Sequence, residues 1–355
     1  MEDKGAGTTT IAIDAMGGDL GPGEVIEALK LAYSRVPKLE RTILTGRREI
    51  LDPLLRKAGL GDDSRVSVHH ASEVIEMNDK PLQALKRKKD SSMVQAIDLV
   101  KSGQAKVLLS CGNTGSLMAG GTIKLRVMEG LDRPALASVI PNKECHFVLI
   151  DAGANPEARP EHLVHNAILG KIYSKVALGI EDPRIGLLTI GTEEGKGNEL
   201  THQTHLLLKK VSHLVNYQGP IEGFHLFQNH VDVVVCDGFV GNIVLKTCES
   251  LFHALKEYLK EEITRNPLRK MGALLSMGAF RAMKTQLNPD HYGGAPLLGL
   301  RGNILKAHGS SNREAIMNAI RIGTEIIAQD MNTHMIDEIR EVNEVLRQAV
   351  TSPTL

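Results

Sequence analysis

Two rhythms of apolar and polar positions alternate along the chain. Short apolar runs bounded by Gly, Pro, Asn or Asp give way to longer segments in which apolar residues recur every three or four positions. The first rhythm predicts strands over 10–14, 41–46, 65–69, 107–110, 135–140, 146–151, 184–190 and 231–236. The second predicts helices over 24–34, 47–58, 91–102, 116–127, 161–175, 199–211 and 240–264, with two or more segments over 313–349. Asn78-Asp79-Lys80-Pro81 reads as the opening of a polar loop, and one further short strand is expected between 293–299 and 306–312. Strand and helix alternate repeatedly, which favours an α/β sheet covered on both faces. Pro141 to Glu144 is short enough for a hairpin, so the sheet is expected to be mixed. No linker-like break or internal repeat interrupts the pattern. A single domain over 8–350 is expected, with a helical excursion over 250–292.

Composition narrows the class. The chain has 355 residues, 42% of them apolar, enough for a sizeable core. Lys plus Arg and Asp plus Glu are equal at 42 each, so no global charge draws the chain to nucleic acid or lipid, and no nucleic-acid partner is expected. Cys111, Cys145, Cys236 and Cys248 have neither zinc-knuckle nor disulfide-frame spacing, and a reducing cytoplasm is the simplest setting. The first ten residues lack the apolar stretch of a secretory signal. No run approaches the roughly 20 apolar residues that span a bilayer.

The chemistry is concentrated where strands end. The apolar run ending at Ser110 passes through Cys111-Gly112-Asn113-Thr114-Gly115-Ser116 into a helix, so amides at the helix start suit a phosphate or an oxyanion. An ordinary capped turn would give the same letters. Comparable turns follow other strands: Asp14-Ala-Met-Gly-Gly-Asp19, Asp151-Ala-Gly-Ala-Asn155, Gly191 to Asn198, and Asp237 to Asn242. Ligands of open α/β sheets bind outside the carboxyl ends of the strands. These turns are therefore expected to meet at one edge and form a polar cleft. The P-loop and dinucleotide fingerprints are absent, as are metal-ligand spacings and a nucleophile elbow, so no cofactor and no metal are expected. Direct transfer between two bound substrates fits better than a covalent acyl-enzyme. Asp14, Asp151 and Asp237 serve equally well as loop caps on this reading.

Two charged stretches stand apart. Over 266–284, Leu268, Met271, Leu274 and Leu275 share one side of a helical wheel, and Arg269, Lys270, Arg281 and Lys284 the other. A basic amphipathic helix or hairpin of this kind suits a membrane surface or an acidic partner, although packing in a dimer interface would also produce it. Lys86-Arg87-Lys88-Lys89 reads as a solvated surface. His308 precedes a Ser-rich helix start and could titrate near a bound anion.

Taken together, the segments Ile13 to Asp19, Ser110 to Met118, Ile150 to Asn155, Gly191 to Asn198, Asp232 to Leu245 and Gly293 to Gly309 resemble the bacterial phosphate acyltransferase family. The resemblance implies a Rossmann-like mixed sheet of the isocitrate and isopropylmalate dehydrogenase type, with a protruding amphipathic helical hairpin. It implies a homodimer in the cytoplasm, peripherally associated with the inner face of the cell membrane. The implied reaction converts acyl-acyl carrier protein and inorganic phosphate to acyl phosphate and free carrier, and a membrane glycerol-3-phosphate acyltransferase then uses the product for phospholipid synthesis. Cys111 and Cys236 stand where small or hydroxylated residues are expected, which raises the question of thiol sensitivity.

On that chemistry, Asp14, Gly112, Asn113, Thr114, Gly115 and Ser116 are the expected phosphate site. Lys196 supplies charge, Asn198 and Asn242 supply donors, Asp237 orients them, and His308 protonates the leaving thiolate. Arg265, Leu268, Arg269, Lys270, Leu274, Leu275, Arg281 and Lys284 are the expected carrier-protein or membrane docking residues. A coenzyme A-dependent phosphate acetyltransferase and a non-catalytic membrane scaffold are the alternatives. A dehydrogenase would need a dinucleotide site and metal carboxylates that the sequence does not offer.

Overall fold

The computed structural model describes residues 9–142, 145–193, 196–228, 230–287 and 294–351, with side chains omitted at 284–287 and 349–351. Thus Gly293, Gly195, part of the expected turn over 141–144 and the side chain of Lys284 lie outside the described residues.

In chain order the elements are β1 (Thr10–Asp14), α1 (Pro22–Arg35), β2 (Arg41–Gly46), α2 (Arg48–Ala58), β3 (Val66–His70), α3 (Pro81–Arg87), α4 (Ser92–Lys101), β4 (Val107–Ser110) and α5 (Thr114–Leu125). There follow β5 (Ala135–Pro141), β6 (His146–Ile150), α6 (Pro160–Leu178), β7 (Ile185–Thr189), α7 (Glu199–Lys210), β8 (Tyr217–Glu222) and a 3-10 turn over Gly223–Phe227. The chain continues with β9 (Val233–Val235), α8 (Gly238–Thr264), α9 (Pro267–Leu275), α10 (Met277–Leu287), β10 (Ala295–Leu298), β11 (Asn303–Lys306), α11 (Arg313–Ala328) and α12 (Met331–Thr351).

Three elements depart from the expected pattern. The polar loop after Asn78 contains α3, whose Pro81 occupies the first turn, where a missing N–H costs nothing. β8, where no strand is expected, contains Gly219-Pro220, a common turn signal; it is an edge strand, where proline is tolerated. In place of the one short strand expected late in the chain, β10 and β11 form an antiparallel pair.

Among the described residues, eleven strands make one mixed sheet, ordered β3-β2-β1-β4-β11-β10-β5-β6-β9-β7-β8. β1, β2, β3, β4 and β11 run parallel. β10 is antiparallel to both β11 and β5, and β5 is antiparallel to β6, which runs parallel to β9 and β7. β6, β9 and β7 therefore point opposite to β1, β4 and β11. One face is covered by α1, α2, α6, α7, α11 and α12 over an aliphatic core around Ile11, Leu109, Ile150 and Val235. The other carries α3, α4 and α5 over Leu108 and Ile304, with α8 over Leu149, Val234 and Cys236. Among the described residues no helix is long and apolar enough to cross a membrane.

α8 crosses the second face from one sheet edge to the other. Asp237 caps its start, and only Gly238, Gly241 and Cys248 along it are buried. A Cβ on Gly241 would overlap the carbonyl oxygen of Asp151, so only glycine lets the helix lie this close to the loop after β6. Gly241→Ala is expected to destabilise the fold by about 3 kcal/mol, the upper range for overpacking, measured as a lowered urea midpoint with the slope unchanged. An unchanged midpoint would contradict this packing.

Candidate functional site

The last residues of three neighbouring strands stand in one row. Asp14 of β1 is in register with Ser110 of β4, and Ser110 with Lys306 of β11. Their side chains share the face that Ala12, Leu108 and Ile304 bury, because residues two apart on a strand point the same way. Ser110 Oγ donates to Asp14 Oδ2 at 2.7 Å, and the Ser92 hydroxyl at the start of α4 reaches the same carboxylate. Burial pushes the Asp14 carboxyl above its usual range, against the pull of these hydrogen bonds. Asp14 is thus a buried pin between β1, β4 and α4.

Beyond the row, three loops interlock. Asp19 N–H donates to Gly309 O at 2.8 Å, and a Cβ on Gly309 would meet Asp19 Oδ2 at 2.5 Å. A Cβ on Gly17 would meet Asp14 Oδ2 at 2.6 Å and Gly112 Cα at 2.8 Å. Gly17 and Gly309 thus give room to the Asp14 and Asp19 carboxylates and to the Gly112 backbone. The Lys306 ammonium is folded back onto the Ala307 carbonyl. Burial lowers its pKa, while Cys111, Asp14 and Asp19 oppose that shift. From α8, Glu249 Oε1 lies 3.0 Å from His308 Nε2, and Lys246 Nζ donates to Glu249 Oε2 at 2.6 Å. Burial would raise the Glu249 carboxyl, but the bonds from His308 and Lys246 prevail and hold it below its usual range.

The expected phosphate turn is only partly open. Asn113 Oδ1 accepts from Ser116 N–H at 2.8 Å, and its Nδ2 donates to the carbonyls of Met77 at 2.8 Å and Asp79 at 3.2 Å. Asn113 is therefore a helix cap and a tether rather than a free ligand donor. Gly112 and Ser116 are buried, Gly112 beneath Met93. Thr114 and Gly115, the first two residues of α5, are exposed, and amides at that position have no partner within the helix.

The expected single cleft is not formed, because the sheet reverses direction between the halves. The turns after β6, β9 and β7 lie at the opposite edge. There Asp151 accepts from the N–H groups of Leu136, Gly153, Ala154 and Asn155 and from Asn155 Nδ2, all within 3.1 Å, while burial pushes its carboxyl upward. Asp237 caps α8 through Phe239 and Val240, and Asn198 caps α7 through Thr201. Asn242 is exposed beside Gly153. Lys196 is exposed, and β7 stands six strands from β4, a lateral distance of about 29 Å at the usual spacing. Of the expected catalytic residues, only His308 joins the row at β1, β4 and β11. Sequence reasoning misses Lys306, Lys246 and Glu249. Lys306 ends a short strand, but nothing in the letters says that the strand inserts beside β4.

The basic amphipathic stretch also differs from its wheel. Ser276 separates α9 from α10, so the stretch is not one continuous helix. Leu268, Leu274 and Leu275 are exposed, Leu275 by 85%. Arg265 and Arg269 both pair with Glu262, and Arg281 donates to Met277 Sδ at 3.3 Å, so the segment is less basic in space than in sequence. Lys270 is exposed.

The family model described as a fatty acid synthesis protein matches residues 9–334. A phosphate acyltransferase from Desulfitobacterium hafniense is 45% identical over 333 residues, covering 93% of this chain and 96% of that one. The chain belongs to the phosphate acyltransferase family. Its enzyme class is acyltransferase. Phosphate acyltransferases from Syntrophotalea carbinolica and Akkermansia muciniphila are 43% and 40% identical, covering 96% and 97% of this chain and 96% and 99% of their own lengths. Among solved structures, a phosphotransacetylase from Streptococcus pyogenes superposes with a TM-score of 0.60 at 15% identity, covering 91% of this chain and 95% of that one. A branched-chain phosphotransacylase from Enterococcus faecalis V583 gives 0.51 at 16% identity, covering 89% and 98%. These two show that a phosphate acyltransferase chain shares the phosphotransacetylase fold.

Two thiols, Cys111 next to the row and Cys236 at the opposite edge after β9, are inert by position. Burial pushes the Cys111 thiol up to about 12, and Cys236 is also buried and raised. A raised thiol stays protonated throughout the neutral range, so little thiolate forms below the shifted value. Iodoacetamide is expected to leave native Cys111 and Cys236 unlabelled from about pH 6 to 9, well below the raised values, and to label them after unfolding. Mass spectrometry reads the outcome, and stoichiometric native labelling of Cys111 would refute it.

Proposed function

We propose that the protein transfers an acyl group from acyl-acyl carrier protein to inorganic phosphate, releasing acyl phosphate and the free carrier thiol. The observation that carries this reading is the exposed start of α5, four residues after Ser110 of β4, which is in register with Lys306 of β11 just before His308, in a chain of this family. A helix start offers unpaired amides and a favourable dipole to an anion. Thr114 and Gly115 are assigned to the phosphate, with Lys306 as the compensating charge. One phosphate oxygen attacks the thioester carbonyl, the tetrahedral oxyanion collapses, and the carbon–sulfur bond breaks. The departing thiolate takes its proton from His308, which Glu249 orients. Asp14, Ser110 and Ser92 hold the row in place.

Lys196, Asn198, Asp237 and Asn242 reach the same phosphate only if a second copy supplies them. A homodimer is consistent with the exposed apolar residues of α8, among them Val240, Ile243, Leu251, Leu255 and Tyr258. The exposed Leu274 and Leu275 of α9 support peripheral contact with the inner membrane face, where the product would pass to a glycerol-3-phosphate acyltransferase. The phosphotransacetylase-like fold keeps coenzyme A thioesters as a second donor class, which carrier-against-coenzyme preference separates.

Incubation with acyl-acyl carrier protein and labelled phosphate is expected to give a hydroxylamine-sensitive product; no such product would end the reading. Lys306→Met is expected to lower turnover by about 10²–10³, the usual loss on removing one transition-state donor. Mixing it with Lys196→Ala under subunit exchange restores activity if Lys196 acts from the second copy. No recovery would place Lys196 outside the pocket. Leu274→Glu with Leu275→Glu is expected to abolish flotation with anionic vesicles, and unaltered flotation would count against membrane contact.

A further inference from the structure

The basic run over 86–89 closes α3, the helix whose first residue, Pro81, lies against the helix start assigned to phosphate. α3 packs along α5: a Cβ on Gly115 would meet Pro81 Cγ at 2.7 Å, and one on Gly120 would meet Leu85 Cδ2 at 3.2 Å. Asn113 ties the preceding loop to the same turn through Met77 and Asp79. Within the run, Lys88 is turned inward, donating to Asp79 at 2.5 Å and to the Val74 carbonyl at 2.8 Å. Lys80, Lys86, Arg87 and Lys89 are exposed, and no ion pair to them is present among the described residues. Leu82 and Met77 are also exposed, at 58% and 48%. A small apolar centre with charged neighbours has the make-up of a protein-docking patch.

We propose that this surface of α3 and its preceding loop docks an acidic protein carrying the acyl thioester on a flexible arm. The proposal rests on the reaction assigned above. Charge complementarity selects the partner: the outward cations Lys80, Lys86, Arg87 and Lys89 are exposed and available to it, whereas Glu262 near the end of α8 already engages Arg265 and, from α9, Arg269. Position selects it as well, since α3 adjoins the exposed turn where the arm must end. The apolar part, Leu82 and Met77, is too small to anchor a chain in lipid, which sets it apart from α9.

The test compares the full-length wild type with Lys86→Glu/Arg87→Glu/Lys89→Glu, and with the charge-preserving Lys86→Arg/Arg87→Lys/Lys89→Arg. Fluorescence anisotropy with labelled acyl carrier protein reads binding directly. Charge reversal is expected to weaken Kd at least tenfold and flatten its salt dependence, while the charge-preserving variant binds like wild type. Turnover of a carrier-free acyl thioester and flotation with anionic vesicles are expected to be unchanged. The proposal is overturned if the wild type does not bind the carrier, if charge reversal leaves Kd unchanged, or if vesicle flotation is lost instead. Failure of the reaction assignment appears separately, as absence of acyl phosphate from both donors despite intact binding.

Discussion

The short antiparallel pairing of β10 with β5 is the constraint on which the architecture turns. Leu297 faces Leu136 and Leu298 faces Ala135, and through those two pairs the halves of the sheet are joined with their directions reversed. Had β5 run the other way, the turns after β4, β6 and β9 would share an edge. Instead Asp14, Ser110 and Lys306 end at one edge, and Asp151 and Asp237 lead away at the other. α8 bridges the two: it starts under the Asp237 cap and meets His308 through Glu249, about three turns later at 3.6 residues per turn.

Burial and hydrogen bonding then sort the polar residues into supports and surfaces. Asp14, Asp151, Asp237, Asn113 and Asn198 all accept backbone or hydroxyl hydrogens that fix a turn or a helix start. The buried ones, Asp14, Asn113 and Asp151, are costly to leave unmet and so are committed to the scaffold, while half-buried Asp237 and exposed Asn198 act as helix caps nearer the surface. Around the row at β1, β4 and β11, what stays available is Thr114, Gly115, His308 and the edge of Lys306. The division explains why a loop rich in Gly, Asn and Asp need not be a ligand cradle along its whole length.

Much of this was legible in the letters, and the limits have physical causes. Strong periodicity located β1, β2, β4, α6 and α7 closely, and the brief Pro141 to Glu144 connection correctly announced a mixed sheet. β8 escaped because Gly219-Pro220 is a turn signal that an edge strand tolerates. α3 escaped because seven residues are too few to show a period. Strand direction beyond the first hairpin depends on β10 and β11, which return from late in the chain, and local pattern carries no record of that return. For the same reason His308 was found by its chemistry, while Lys306, one strand from Ser110, was not.

The late arrival of β11 has a consequence for synthesis. Val107–Ser110 finds its partner on one side, β1, early, but its other flank stays unsatisfied until residues 303–306 leave the ribosome. For most of translation the middle of the sheet therefore presents a bare, apolar strand margin, the kind of surface that recruits foreign strands. Truncation before Asn303 would keep most of the chain but leave β4 with a permanently adhesive flank.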